Sequence, residues 1–245
     1  MVPFDTKSFD LIIPASDLSI NTLNCVILNN EDTVFNSTLN NGVVKQLSYV
    51  VCDDRIILTS ENEGKNFKLF TLKNISDKLE MGTVTILLSS TEKFEKENIF
   101  RKEVRWFNKP FILNNQELSS KVLKYIEDEN VISDIRKTDE EKFLQKMLHV
   151  WEKYDPTKET KYNELMEQYF SRVDYTFRNF STITGKQGWD TDRGAIYIQY
   201  GNPDEIKRAS DDHGKVIETW IYNDPDNKFN FVDKAGAGEF VILSQ

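Results

Sequence analysis

The chain has 245 residues, enough for two modest domains with a core each, and its 39% hydrophobic and 12% aromatic content excludes a disordered chain. Lys and Arg total 31 against 40 Asp and Glu, and a net charge of -9 repels phosphate backbones, which argues against a nucleic-acid partner. Two cysteines, Cys25 and Cys52, are too few for a disulfide scaffold and lack the paired spacing of structural zinc, so a bridge and two buried thiols both stay open.

The opening VPFDTKSFD after Met1 has neither a basic nor an apolar region, so no signal peptide is expected in this chain. The start runs almost directly into a strand, as though an upstream part were missing. Six short β-branched or aromatic runs follow: Phe9 to Ile13, Leu23 to Leu28, Val43 to Val51, Arg55 to Thr59, Phe67 to Leu72 and Val84 to Leu88. Turn residues separate them at Asn29-Asn30-Glu31-Asp32, Cys52-Asp53-Asp54 and Glu63-Gly64, and Leu72 to Met81 reads as a loop or one helical turn. Residues 1–106 are therefore predicted to form an all-β sandwich, because single-sided strands need a cover for their apolar faces. Val84 to Leu88 is among the longest apolar runs and is far short of the ~20 residues of a membrane helix, so no membrane span is expected.

After Lys109-Pro110 the period becomes helical. Leu118, Val122, Leu123 and Ile126 predict a helix from about Gln116 to Glu129, with Asn115 as N-cap. Phe143, Leu144, Met147, Val150 and Trp151 predict a second, starting near Thr138 or Asp139 and ending before Pro156. A third and longest helix is expected from about Glu159 to Phe180, burying a stripe that includes Tyr162, Met166, Tyr169, Val173 and Phe177. Beyond Gly185 the expected strands are Ala195 to Tyr200, Val216 to Tyr222, Phe229 to Val232 and Phe240 to Leu243. The fold class is thus α+β: an N-terminal sandwich, a helical connector, and a C-terminal helix with a small antiparallel sheet over residues 107–245.

Signals for known chemistry are weak. His149 and His213 have no second ligand at metal spacing, G-x-S-x-G is absent, and Thr184-Gly185-Lys186 lacks the upstream glycine of a phosphate loop. Asp190-Thr191-Asp192 starts like a calcium loop, but Ala195 stands at the sixth position where Gly is required and Gly201 at the twelfth where Glu is required. No cofactor and no metal are expected.

The densest run of special residues is Gly188-Trp189-Asp190-Thr191-Asp192-Arg193-Gly194, followed by Ile196-Tyr197-Ile198 and Tyr200-Gly201-Asn202-Pro203-Asp204-Glu205-Ile206. This stretch resembles the signature of the GWxTD domain, found in proteins of Bacteroidetes and related bacteria. Asp155-Pro156-Thr157, Asn163-Glu164, Tyr169, Arg172-Val173 and Glu218-Thr219-Trp220-Ile221-Tyr222 fit the same pattern, as do Arg105-Trp106 and Lys109-Pro110 upstream. Asn202 departs from it, standing where the family more often has Pro. The resemblance implies an exported protein of the cell envelope, periplasmic or outer-membrane-associated, with β-sandwich units before the domain and no general biochemical activity to transfer.

The motif supplies the candidate site: Gly188, Trp189, Asp190, Thr191, Asp192, Arg193, Gly194, Tyr197 and Asp204. As a structural latch, Gly188 and Gly194 allow positive φ or close backbone approach, Trp189 plugs a seam between the third helix and the first strand of the C-terminal sheet, and Asp192 accepts loop N–H groups or pairs with Arg193. The expected role is a non-enzymatic envelope module with a protein or glycan partner. Its rivals are a carbohydrate-binding protein built around Trp189 or Trp220, and a hydrolase using two acids from Asp190, Asp192, Asp204 and Glu205.

Overall fold

A computed structural model of the chain describes residues 1–52, 55–59, 64–90, 98–223 and 227–243. The expected turns at Asp53-Asp54 and Glu63 and the side chain of Cys52 lie outside the described residues. The chain divides into two compact units, Met1–Phe107 with Thr157–Tyr162, and Asn108–Pro156 with Asn163–Gln245.

The first unit carries strands β1 (Val2–Pro3), β2 (Leu11–Ala15), β3 (Leu23–Asn29), β4 (Asp32–Leu39), β5 (Val43–Cys52), β6 (Arg55–Thr59), β7 (Lys65–Leu72), β8 (Gly82–Ser89) and β9 (Asn98–Arg105). They form one sheet in the order β1-β9-β8-β3-β4 and another in the order β2-β7-β5-β6, and all neighbours are antiparallel except β1 beside β9. Period-two burial marks the core: Leu23, Cys25 and Ile27 on β3, Val84 and Leu88 on β8, Phe70 on β7 and Ile13 on β2 are buried. Strands β4 and β9 escape the sequence reading because polar and charged residues dominate them, as suits strands with a solvated face. The β3–β4 turn holds Asn30 at φ 51 and Glu31 at φ 76, the left-handed pair that a two-residue hairpin loop requires. Between β7 and β8 the expected helical turn is a 3₁₀ segment, Ile75–Lys78, which buries Ile75.

Residues 157–162 close this unit. Lys161 donates its backbone N–H to the Asp77 carbonyl at 3.1 Å and pairs with Glu80 at 2.7 Å. The Tyr162 ring meets Phe4 at 5.1 Å and Trp106 at 5.7 Å in edge geometry. The third helix therefore starts later than its apolar stripe suggests, since Tyr162 belongs to an aromatic cluster of the β-rich unit.

The second unit contains helices α1 (Gln116–Lys121), α2 (Glu129–Lys137), α3 (Glu140–Trp151), α4 (Glu164–Phe180) and α5 (Asp192–Tyr200), then strands β10 (Glu205–Ser210), β11 (Val216–Ile221), β12 (Lys228–Asp233) and β13 (Phe240–Ile242). Asn115 caps α1 as expected, accepting from the Leu118 N–H at 2.9 Å. The helix tightens into a 3₁₀ turn at Val122–Tyr125 and stops short of Glu129, where Asp128 caps the separate helix α2, accepting from the N–H groups of Asn130 and Val131. Asn163 caps α4 through Met166 N–H and donates to the Trp151 carbonyl, both at 2.9 Å, fixing where α4 leaves the end of α3. Trp151 then packs on Tyr169 and Phe170 of α4 at 5.1 and 5.6 Å. Buried Asp174 of α4 accepts from the backbone N–H groups of Phe111 and Ile112, which open the 3₁₀ turn Phe111–Asn114.

The four C-terminal strands form an antiparallel sheet in chain order, and its β10 is a fully exposed edge that the sequence reading missed. Ala195 to Tyr200, read as a strand, is helix α5. The Ile196, Ile198 alternation suggested period two, but Thr191 caps the segment and Gly201, at φ 83, ends it. Gly194 and Ile198, four apart, are its buried positions, so its buried face has helical spacing.

Two consequences can be measured. Burial pushes the Cys25 thiol up to about 11, so its neutral form is favoured by folding, and its contribution to stability is complete below the unfolded thiol pKa and is lost as pH rises towards 11. In a Cys52→Ser background, Cys25 should resist Ellman's reagent at pH 8 in native buffer and react fully in denaturant. Asp174→Ala, which leaves two N–H groups without their acceptor, should cost about 1–3 kcal/mol in urea unfolding.

Candidate functional site

The motif lies on the connection from α4 to α5 and on α5 itself. At the end of α4 the chain turns through Thr182–Lys186, Ser181 Oγ accepts from the Gly188 N–H at 3.0 Å, and a 3₁₀ turn, Gly188–Asp190, begins. Gly188 is required by contact and not by φ: a Cβ there would stand 1.8 Å from the Thr176 carbonyl oxygen of α4. A Cβ on Gly194 would stand 1.9 Å from the Gly188 carbonyl oxygen. The two glycines thus let three stretches of backbone approach more closely than any side chain permits.

Thr191 joins them. Its Oγ1 donates to the Gly188 carbonyl at 2.7 Å and accepts from the Gly194 N–H at 3.0 Å, capping α5 while holding the preceding turn. Trp189 is buried, 7% exposed, which excludes an open stacking platform. Its neighbours are helical: Lys124 Nζ lies 5.3 Å from its ring centroid, and Tyr125 Oη donates to its carbonyl at 2.6 Å. Because α5 is a helix, the indole lies near the 3₁₀ turn Val122–Tyr125 and does not plug a seam with a first strand. Its Nε1 has no hydrogen-bond partner among the described residues.

Each acid has a separate place. Asp190 pairs with Lys124. Burial pulls Lys124 down, but the hydrogen bond and charge of Asp190, with Tyr125, outweigh it and leave its pKa raised, so the ammonium stays charged. Asp192, in the first turn of α5, accepts from the Ile242 N–H of β13 at 2.8 Å, so it takes a strand N–H and does not pair with Arg193. Asp204 is exposed, and its backbone N–H donates to the Ile221 carbonyl at 2.9 Å. Glu205 begins the exposed edge strand β10.

Arg193 points into the unit. Its guanidinium carbon lies 4.1 Å from the Phe240 ring centroid and 4.9 Å from that of Phe180, Nη1 is 3.6 Å from Glu218 Oε1, and Nη2 donates to the Gly238 carbonyl at 3.3 Å. Burial lowers its pKa and Glu218 opposes that shift. Glu218 is almost wholly buried on β11 and accepts from Trp220 Nε1 at 2.7 Å and Arg208 Nε at 2.9 Å. In the sequence Glu218 stands out only as part of a matching strand. An acid at an inward position between Ile217 and Thr219 was the signal that it needed buried partners.

Tyr197 stacks on Tyr175 of α4, with centroids 4.3 Å apart and planes 11° from parallel, and it packs on Trp220 and Phe180. Arg172 Nη1 donates to the carbonyls of Ile198 and Gln199, both at 3.1 Å, where the last carbonyls of α5 need donors. Tyr222 Oη donates to the Gly201 carbonyl at 3.0 Å. Among the described residues, no group of three or more His, Cys, Asp or Glu side chains is placed to hold a metal.

Replacing Trp189 with Ala should cost about 3–5 kcal/mol, as loss of a large buried aromatic does. Glu218→Gln, which removes the charge facing Arg193, should cost about 3–5 kcal/mol, whereas exposed Asp204→Asn should stay within about 0.5 kcal/mol. Chemical denaturation of the three variants checks the order.

No curated protein and no solved structure matches the chain. The family model of the GWxTD domain matches residues 86–240, from within β8 to the first residue of β13. With more than half of its length matched, including the glycine, tryptophan, threonine and aspartate whose contacts are given above, the chain belongs to the GWxTD domain family.

Proposed function

We propose that the protein is a non-enzymatic interaction or structural module of the bacterial cell envelope, periplasmic or outer-membrane-associated, with an envelope protein or glycan as its partner. The observation that carries this reading is the internal use of the motif. Thr191 caps a helix, Asp192 holds a strand N–H, Arg193 neutralises a buried glutamate, and Asp190 pairs with a lysine. General acid and base catalysis requires acids facing a substrate, and Asp190 and Asp192 are engaged by their own chain. Burial of Trp189 and Trp220 likewise leaves neither indole face open for a sugar.

A catalytically idle scaffold of this kind works through its surface. No described helix is long and apolar enough to cross a membrane. The test combines two measurements on the full chain. Panels of chromogenic glycosides and esters should show no turnover above that of Asp190→Asn and Asp192→Asn variants. Cross-linking in Bacteroidetes envelope preparations should give one saturable product that Trp189→Ala, by loosening the unit, diminishes. Turnover that disappears in either aspartate variant would replace the proposal with the hydrolase.

A further inference from the structure

The inner face of the five-stranded sheet is apolar except for Asn29, Asn98 and Lys102. Residues paired across β3, β8 and β9 run Cys25, Leu88 and Asn98, then Ile27, Ile86 and Phe100, then Asn29, Val84 and Lys102. On β9, Val104 of this face is buried, while Phe100 is 50% exposed and Lys102 is exposed. The four-stranded sheet ends at β2, and its edge leaves Phe100 and Lys102 without a full cover. What remains is a cleft of about 600 Å³ bounded by β2 on one side and by Ile86, Leu88, Phe100 and Lys102 on the other. A recess of about 250 Å³ adjoins it, floored by Ile75 and Leu79, and shares Leu11, Ile86 and Lys102 with it.

Its size falls within the range of small-molecule sites, and its chemistry is that of an amphiphile site: an apolar lining with one convergent cation. The Lys102 ammonium makes no hydrogen bond or ion pair with any described residue. Asp17, the acid on the same lining, already accepts from the Ser19 N–H at 2.9 Å and the Ser19 hydroxyl at 2.6 Å, closing its own turn. A solvated lysine at the rim of an apolar sheet face suits an anion that arrives with apolar surface attached. Pro14, midway along the β2 edge, has no N–H to give, so a peptide strand laid on this edge loses a ladder bond. A ligand without a backbone loses nothing there.

We propose that the cleft between β2 and β9 binds a free long-chain fatty acid, its carboxylate on Lys102 and its alkyl chain among Leu11, Ile13, Ile86, Leu88 and Phe100. The site owes nothing to the GWxTD motif, so it stands or falls separately from the envelope role. Lys102 supplies orientation and charge, and the aliphatic lining supplies most of the affinity.

Titration of the full chain with cis-parinaric acid, followed by its fluorescence, tests this. The expected result is saturation at one equivalent, displacement by palmitate, and weaker displacement by methyl palmitate, which lacks the charge. Lys102→Glu should weaken binding about tenfold or more, and Phe100→Asp should abolish it. Arg101→Glu, on the opposite face of β9, should leave binding unchanged. Both lining positions are exposed enough to be changed with the fold intact, which circular dichroism checks. Absence of saturable binding overturns the proposal. Equal affinity in Lys102→Glu, or equal competition by the ester, also overturns it and leaves Lys102 as a charge guarding a strand edge. Concentration-dependent hydrogen-exchange protection of the Ile12 and Ser16 amides in ligand-free protein would assign the cleft to a strand of a second copy, against the fatty acid.

Discussion

The second unit depends on a single buried ion pair, Arg193 with Glu218. Burying either charge alone costs several kcal/mol, and further partners make the pair tolerable: Trp220 Nε1 and Arg208 on the carboxylate, and the Gly238 carbonyl on the guanidinium. The planar guanidinium also packs against the rings of Phe180 and Phe240. Through one side chain, α5 is tied to the end of α4, to β11, to β13 and to the loop before it. Lysine could carry the charge but not the stacked plane.

Around that pair, backbone proximity does what side chains cannot. Gly188 against Thr176 and Gly194 against Gly188 bring the turn flush with α4, and Thr191 ties the two glycines with one hydroxyl. Asp192 then reaches Ile242, so the first turn of α5 grips the last strand of the sheet while Arg172 satisfies its last carbonyls. The motif is a joint in which helix start, helix end and sheet edge are each held by a different residue. Chemistry of this kind needs specific residue types at specific spacings without any substrate, which is why a run this dense in Gly, Asp and Trp does not by itself signify catalysis.

The first unit is built on the looser rule of period-two burial, and that rule leaves a gap. Beside strand β2 a cleft stays open, and Ile86 and Leu88 of β8 with Phe100 and Lys102 of β9 face it. Residues 157–162 close the unit elsewhere, with Tyr162 filling the space between Phe4 and Trp106. The helical period of α4 in sequence ran on through Tyr162 because an aromatic residue reads as core whichever core it enters.

Sequence alone determined the fold class, the β-rich first unit, the N-cap of α1 and the end of α3, and the family, because those rest on local signals: alternation, capping side chains, proline, and a motif with fixed spacing. It also marked Gly188, Trp189 and Gly194 as positions of close packing. At Asp192–Tyr200, Ile196 and Ile198 fit either period, and although Thr191 and Gly201 carry local helix signals, the burial of Gly194 against the Gly188 carbonyl and of Ile198 is a property of the packed chain. Likewise, nothing local says that Arg193 meets Glu218, twenty-five positions away, instead of Asp192 beside it. That choice follows from which charge is taken out of water, and desolvation is a property of the packed chain, not of any segment of it.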